Sequence, residues 1–133
     1  MPLKVVGVGA GYFSHYHYDA WQRIGCVDLV AVCDRDLTRA DAAAKRYGVP
    51  LVFEQFSAML NKTDPDIIDI ITPPESHEAL LTIALATNAA VICQKPLVPT
   101  LADARRMVAM AEAKDRHFFV HENFRFQPWY VEI

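Results

Sequence analysis

The 133-residue sequence has few of the features that mark secreted, membrane or nucleic-acid-binding proteins. It has three cysteines with no CxxC spacing, no basic cluster and a net charge of −3. No apolar run reaches the ~18 residues that a membrane-spanning helix needs, and the N-terminus does not resemble a signal peptide. These absences argue against a disulfide scaffold, a membrane protein and a nucleic-acid partner. We expect one globular domain in a reducing cytoplasm.

Metal-binding patterns are also missing from the sequence. His121 and Glu122 begin an HExxH pattern, but Arg125 stands where the second histidine is needed. His15 and His17 lie two positions apart without an acidic or cysteine partner close in sequence. We therefore predict no metal site and interpret both histidines as surface or packing residues of a helix.

A glycine turn between a predicted strand and a predicted helix dominates the N-terminal region. Residues 3–8 form a short apolar run rich in β-branched residues, which predicts a buried strand. Gly9 can adopt a backbone conformation that a side chain forbids, and Gly11 lets a pyrophosphate approach the main chain. Because the following helix adds partial positive charge at its start, the turn predicts an anion-binding site.

The dinucleotide fingerprint G-x-G-x-x-G can be placed in two registers here. From Gly7 its third position falls on Tyr12, which is too large for close packing of helix on strand. From Gly9 it falls on Ser14, which is small and could cap the helix with its hydroxyl. We choose the second register, with a plain strand–turn–helix connection as the alternative.

An acidic residue follows the second predicted strand. The apolar run at 28–33 ends at Asp34. In a dinucleotide-binding βαβ unit, an acidic residue roughly 20 positions beyond the glycines binds the adenosine ribose hydroxyls. The alternative is that Asp34 only caps the next helix.

The rest of the chain alternates predicted strands and helices, which indicates an α/β fold with a doubly wound parallel sheet of order 3-2-1-4-5-6. We predict further strands at 51–53, 66–71, 90–93 and 117–121, and helices at 37–47, 55–60 and 75–87. Thr100 with Asp103 predicts a near capping box before a long helix. The buried stripe of that helix is predicted to be Leu101, Ala104, Val108 and Ala111.

Ligands of such sheets bind beyond the carboxyl ends of the strands. The segments predicted at that edge are Gly9–Ser14, Asp34, Thr72–Pro74, Gln94–Pro96 and His121–Arg125. On the first helix, we expect Tyr16, Tyr18 and Trp21 to be buried, with Tyr12 and Phe13 beside the ligand.

With these segments in place, the chain resembles the N-terminal domain of the glucose–fructose oxidoreductase / inositol dehydrogenase family of NAD(P)-dependent oxidoreductases. The resemblance extends over essentially all of the sequence. It rests on the glycine turn followed by His17, CDRD at 33–36, TPPESH at 72–77, QKP at 94–96 and NFRFQP at 123–128.

The resemblance implies a cofactor site and one catalytic residue. Lys95 matches the lysine of the family's E-K-P motif, which takes part in proton transfer and often precedes a cis proline. NAD is favoured because Asp34 would repel a 2′-phosphate, although Arg35 could pair with one. The cofactor-binding residues implied are Gly9, Gly11, Tyr12, Phe13, Ser14, Asp34, Arg35, Thr72, Pro73, Pro74, His77, Gln94, Lys95, Asn123 and Arg125.

The sequence departs from the family pattern in three places. Ser14 replaces a glycine or alanine, and Gln94 replaces the usual glutamate. The second change removes one influence that favours the charged ammonium of Lys95, so that either the lysine serves more readily as a base or the site has lost activity. Family members also continue into a second α/β domain that supplies substrate contacts and much of the oligomer interface.

We therefore expect residues 1–121 to form a dinucleotide-binding domain and residues 122–133 to begin the connection to an absent second domain. The complete protein would be a homo-oligomeric oxidoreductase that transfers hydride between NAD(P) and a secondary alcohol of a sugar, inositol or related polyol. One alternative is a non-catalytic dinucleotide-binding or redox-sensing module. A weaker one is a domain that binds a mononucleotide or S-adenosyl methionine.

Overall fold

The computed structural model describes residues 1–131, in which a parallel six-stranded sheet carries helices on both faces. The strands are β1 (Leu3–Val8), β2 (Val27–Cys33), β3 (Leu51–Phe53), β4 (Ile67–Ile70), β5 (Ala90–Gln94) and β6 (Phe118–His121). The helices are α1 (Ser14–Gln22), α2 (Leu37–Tyr47), α3 (Phe56–Thr63), α4 (His77–Ala84), α5 (Leu101–Ala113) and α6 (Pro128–Val131), with short 3-10 turns at Pro74–Ser76 and Asn123–Phe126. The order β3-β2-β1-β4-β5-β6 confirms the predicted doubly wound fold.

Alternate residues of the strands enter separate cores on the two faces of the sheet, as the pleat requires. In β1, Val6 and Val8 join the core beneath α3, α4 and α5, whereas Val5 joins the core beneath α1 and α2. Burial of a side chain such as Val6 contributes about 1.5–3 kcal/mol. An exposed ion pair such as Arg23 with Asp19 contributes at most about 1 kcal/mol. Apolar burial therefore dominates the stability of this sheet.

Helix α2 begins and ends where its terminal residues predict. The Asp36 carboxylate accepts hydrogen bonds from the backbone N–H groups of Thr38 and Arg39, and Gly48 ends the helix at φ 63°. The predicted bounds 37–47 are therefore confirmed. The alternative interpretation of Asp34, that it only caps the next helix, is therefore wrong, because the capping residue of α2 is Asp36.

Two expectations about α1 were wrong. Ser14 is not the capping residue: it lies inside the first turn, fully buried, and its hydroxyl donates to the Gly11 carbonyl at 2.5 Å. The residue before the helix is Phe13, which makes no capping hydrogen bond through its side chain. Tyr16 is 58% exposed, whereas Tyr18 is fully buried, because only one side of α1 meets the sheet.

The predicted bounds of the remaining elements agree with the structure to within three residues. The helix predicted at 75–87 is shorter, because a 3-10 turn precedes α4 and the helix ends at Ala84. The stripe predicted for α5 was wrong in part. Leu101 and Val108 are exposed, and Met107 occupies the core beside Ala111, together with Leu81 and Ala84 of α4.

The capping box predicted before α5 is half formed. Thr100 accepts a hydrogen bond from the Asp103 N–H, as predicted. The Asp103 carboxylate does not accept a hydrogen bond from the main chain of Thr100; it accepts the threonine hydroxyl instead, at 2.6 Å.

Among residues 1–131, no helix is both long and apolar enough to cross a membrane.

Candidate cofactor-binding site

The loops that follow β1, β2, β4, β5 and β6 meet at one edge of the sheet, because all six strands are parallel. Short contacts join neighbouring loops and strand ends. Ala10 N–H donates to Asp34 at 2.7 Å, and the Gln94 amide lies 3.3 Å from His121. The sequence segments predicted to share this edge are therefore adjacent in space.

The two glycines of the loop have opposite surroundings, crowded at Gly9 and open at Gly11. Gly9 has φ 108°, and a Cβ there would lie 2.9 Å from the Ile71 carbonyl group at the end of β4. Tyr18 also donates its hydroxyl to the Gly9 carbonyl at 2.6 Å. A Cβ at Gly11, in contrast, would meet no atom within 4 Å. The loop is packed tightly on one side and leaves open space in front of Gly11.

Asp34 connects the end of β2 to the glycine loop. One carboxylate oxygen accepts the Ala10 N–H at 2.7 Å and the other accepts the Asp36 N–H at 2.8 Å. The residue is half-buried and Arg35 beside it is exposed. Since each carboxylate oxygen has two acceptor positions, Asp34 can still accept hydrogen bonds from a ligand hydroxyl.

The segment after β4 is braced by a buried histidine. His77 is fully buried at the start of α4, and its two ring nitrogens lie 2.7 Å from the carbonyl oxygens of Thr72 and Leu97. Ser76 donates its hydroxyl to that of Thr72 at 2.6 Å. His77 thus joins the loop after β4 to the loop after β5, so its contribution to a ligand site is to hold Thr72 in place.

A buried polar cluster lies between α1 and the ends of β4 and β5. Asp69 is fully buried in β4 and accepts hydrogen bonds from the Trp21 indole at 2.7 Å and from His17 at 2.9 Å. The other ring nitrogen of His17 lies 2.8 Å from the amide nitrogen of Gln94. Gln94 in turn accepts the Lys95 backbone N–H at 2.7 Å. This cluster ends directly at the predicted catalytic residue.

Lys95 is half-exposed and follows the last residue of β5, at the edge where the parallel strands end. Its ammonium is 4.4 Å from the centre of the Phe124 ring, which is a cation–π contact. The Lys95–Pro96 peptide bond is cis, as the family resemblance implied. Nearby, the side-chain oxygen of Asn123 is buried without a hydrogen-bond partner, whereas Arg125 is exposed. An unpartnered buried acceptor next to Phe124, whose ring Lys95 contacts, is suited to a ligand that donates a hydrogen bond.

Sequence reasoning missed the cluster around Asp69. The run 66–71 was interpreted as an acidic start with an apolar body, although Asp69 interrupts that body. A carboxylate in a strand buried on both faces must find donors, and this signal could have identified it. The donors Trp21 and His17 lie 48 and 52 positions away, so their identity could not be obtained from local pattern.

No group of three or more His, Cys, Asp or Glu side chains in residues 1–131 is arranged to hold a metal ion.

Of the two residues expected beside the ligand at the start of α1, Tyr12 is 78% exposed and Phe13 is 37% exposed. The Tyr12 hydroxyl lies 2.9 Å from that of Tyr16, and the Phe13 ring lies near those of Tyr16 and His17. Their contact with a ligand stays a prediction.

Curated relatives of this chain are dehydrogenases. D-apiose dehydrogenase of Paraburkholderia graminis is 43% identical over 121 residues, which cover 91% of this chain and 32% of that protein. Inositol 2-dehydrogenase of Salmonella typhimurium is 31% identical over an alignment that covers all of this chain and 40% of that protein. This chain therefore spans about a third to two fifths of the length of these relatives.

Solved structures show the same fold. An oxidoreductase from Agrobacterium radiobacter in complex with NAD⁺, L-tartaric acid and magnesium superposes with a TM-score of 0.91 at 35% identity. The superposition covers 96% of this chain and 37% of that one. The family model described as an oxidoreductase family with an NAD-binding Rossmann fold matches residues 3–122. The chain belongs to this Gfo/Idh/MocA oxidoreductase family and comprises its NAD-binding Rossmann domain.

Proposed function

We propose that the glycine loop and the start of α1 hold the pyrophosphate of a nicotinamide dinucleotide. The observation that carries this proposal is that open space in front of Gly11, where a Cβ would meet nothing within 4 Å, coincides with the start of a helix. The start of the nine-residue helix α1 lies directly behind it and has no side-chain cap. Helix N-termini favour anions through their unpaired N–H groups and partial positive charge.

The adenosine ribose is assigned to Asp34, and this assignment favours NAD. The carboxylate is held beside the glycine loop by Ala10, with acceptor capacity left for two ribose hydroxyls. A 2′-phosphate at the same place would meet a like charge, which is unfavourable. Arg35 is exposed next to Asp34 and is the residue that would accommodate NADP.

The nicotinamide half is assigned to the loops after β4, β5 and β6. The supporting features are the bracing of Thr72 by His77 and the unpartnered buried oxygen of Asn123. The full set that we propose to surround the cofactor is Gly9, Gly11, Tyr12, Phe13, Ser14, Asp34, Arg35, Thr72, Pro73, Pro74, His77, Gln94, Lys95, Asn123 and Arg125. Among these, Ser14, His77 and Gln94 have buried polar side chains and act by positioning the loops.

The complete protein is proposed to oxidise a secondary alcohol of a sugar, inositol or related polyol. Bound NAD supplies the acceptor for the hydride, which is chemistry that the cofactor itself provides. As the carbon–hydrogen bond breaks and the carbonyl forms, Lys95 in its amine form accepts the hydroxyl proton at Nζ. In the reverse direction Lys95 returns that proton. The substrate class is inferred from relatives that are a D-apiose dehydrogenase and an inositol 2-dehydrogenase.

The domain organisation that goes with this function is also a proposal. Residues 1–121 would form the cofactor domain and residues 122–133 the start of a connection to a second, substrate-binding domain, with much of a homo-oligomer interface there. A cytoplasmic location agrees with Cys33 and Cys93, which are buried free thiols.

Gln94 supports a second candidate function, a dinucleotide-binding module without catalytic activity. The family glutamate is missing at this position, so a carboxylate that would influence Lys95 is absent. Turnover of a polyol with NAD by the complete gene product would support the enzyme. Saturable cofactor binding without turnover of any polyol or sugar would support the module.

The decisive experiment is a titration of this chain with NADH and NADPH, followed by calorimetry or by energy transfer from the tryptophans. We expect one-to-one binding, with NADH tighter. Gly11→Ala should fold with unchanged stability, because its Cβ meets open space, and should weaken NADH binding about 10-fold or more. Gly25→Ala is the matched control, since a Cβ there also meets nothing within 4 Å. Equal NADH affinity in both variants would contradict the proposed site.

A further inference from the structure

We propose that Asp69 and His17 are positioning residues for Lys95, which they hold through the side chain of Gln94 in a hydrogen-bond chain of one fixed direction. The inference rests on the proposed function of Lys95. It assigns a role to two buried polar residues that neither cofactor binding nor the proton transfer at Lys95 employs.

Asp69 faces α1 because its neighbours in β4 face the other way. Ile68 and Ile70 belong to the core beneath α3, α4 and α5, and successive strand residues point to opposite faces. The carboxylate is therefore directed at α1, where Trp21 and His17 both donate to its Oδ2. Its Oδ1 is buried without a partner. A buried carboxylate with two donors on one oxygen is a strong fixed acceptor for His17.

The direction of the hydrogen-bond chain follows from its last bond, between Gln94 and the backbone of Lys95. The Lys95 N–H can only donate, so the atom of Gln94 that lies 2.7 Å away is its oxygen. The amide nitrogen of Gln94 therefore faces Nε2 of His17 at 2.8 Å. Because an amide nitrogen only donates, Nε2 must be the acceptor. The proton of a neutral His17 then lies on Nδ1, from which it is donated to Asp69 at 2.9 Å.

The second N–H of the Gln94 amide is directed at His121. Its distance to Nδ1 of His121 is 3.3 Å, which also requires that nitrogen to accept. Burial lowers the pKa of His121, and the nearby His17 lowers it further, against the opposing effects of Asp69 and Glu122. Neutral His121 provides the lone pair that this bond needs. Both hydrogens and the oxygen of the Gln94 side chain are therefore engaged.

The consequence is that Lys95 is held at both ends. Its backbone is bonded to Gln94, and its ammonium lies on the Phe124 ring 4.4 Å from the centre. A glutamate at position 94 could only accept hydrogen bonds, so His17 would have to carry protons on both nitrogens to bridge it to Asp69. Gln94 is thus matched to a neutral His17, and the departure from the family glutamate has a structural reason in this chain.

The first test is the protonation of His17, measured on this chain by long-range ¹H–¹⁵N correlation. Neutral histidine in water carries its proton mainly on Nε2. We expect His17 instead to show a protonated Nδ1 and a bare Nε2, and Gln94→Glu to add a second N–H on the same ring. A protonated Nε2 or an averaged mixture in the unmodified chain would overturn the proposal.

The second test separates local positioning from general stability. In His17→Phe we expect the Lys95 amide to exchange with solvent about 10-fold faster or more, while the amides of Val91 and Cys93 in β5 keep their protection. His15→Phe is the matched control on the same helix, because His15 contacts Tyr47 and is not part of the hydrogen-bond chain from Asp69 to Lys95. Unchanged exchange at Lys95 in His17→Phe would overturn the proposal.

The functional test uses the complete gene product. His17→Phe should lower kcat about 10-fold or more with little change in the Kd for NADH, whereas His15→Phe should leave both unchanged. An unchanged kcat in a His17→Phe variant with a rapidly exchanging Lys95 amide would overturn the positioning role. If the unmodified protein binds neither NADH nor NADPH, the proposed function fails. The histidine protonation and amide exchange of this chain need no cofactor, so they show separately whether the inference fails.

Discussion

At the scale of single residues, Gly9 has two independent reasons to be glycine. Its φ is 108°, and a Cβ would lie 2.9 Å from backbone atoms of Ile71, which cannot rotate away. We expect Gly9→Ala to lower the free energy of unfolding by about 1–3 kcal/mol or more, from strain and steric overlap together. Urea denaturation of Gly9→Ala against Gly25→Ala measures this difference. Equal stability of the two variants would show that the loop adapts freely.

The buried thiols provide a prediction about reactivity and pH. Burial, with a smaller contribution from Asp34, raises the pKa of Cys33 to about 11. Burial, with a smaller contribution from Asp69, raises the pKa of Cys93 to about 12. Since the thiolate is the reactive form, a thiol reagent at about pH 8 should label only the exposed Cys26 in the folded chain. Rapid labelling of a second thiol before denaturation would contradict this packing.

The same shifts determine how stability depends on alkaline pH. The folded-state pKa values of Cys33 and Cys93 lie above the ordinary value of 9.0. Below about pH 9 both states keep their protons and the stabilisation is complete; above it the unfolded chain loses protons first. The free energy of unfolding should therefore fall as pH rises from about 9 towards 12. Tyr18, whose pKa is also raised by burial, acts in the same direction. A rise in stability over this range would contradict the assignment.

Residue identity predicted part of the candidate site. Gly9, Gly11 and Asp34 could be proposed for it because a strand, a glycine turn and a terminal acid have a spacing that is visible in sequence. Asp69 was not found, because its importance depends on donors that come from a helix far away in the chain.

At the scale of elements, Thr100 stabilises the start of α5. Its side chain accepts the Asp103 N–H, and the Asp103 carboxylate is also bonded to Arg106. Thr100→Ala should lower the free energy of unfolding by about 1 kcal/mol. Thr82→Ala is the matched control, because the Thr82 hydroxyl donates within α4 to the Glu78 carbonyl and caps nothing. Similar losses in the two variants would contradict a capping role for Thr100.

Elements whose ends are determined by local chemistry were predicted best. The bounds of α2 follow from Asp36 and Gly48, which act on neighbouring backbone groups. The buried face of α5 was predicted less well, because which side of a helix is covered depends on elements elsewhere in the chain. Met107 rather than Val108 fills the core because of where α4 lies.

At the scale of the whole molecule, a C-terminal aromatic patch is exposed, formed by Phe124, Phe126, Trp129 and Tyr130. Exposed apolar surface of this kind favours association. We expect the sedimentation coefficient of this chain to rise with concentration and the double variant Phe126→Ser, Trp129→Ser to suppress that rise. Leu101→Ser is the control, since Leu101 is exposed on α5, outside the patch. Concentration-independent sedimentation of the unmodified chain would contradict the prediction.

The sequence alone determined the fold class, the strand order and which segments share the edge of the sheet that carries the candidate site. Each of these depends on periodicity, turn residues and the handedness of βαβ connections, which are encoded locally. The tertiary structure alone decided the partners of buried polar groups. It also decided the direction of the hydrogen-bond chain from Asp69 through His17 and Gln94 to Lys95. Hydrogen bonding between side chains requires atoms to approach within about 3 Å, and only the folded sheet brings residues 17, 69 and 94 to that distance.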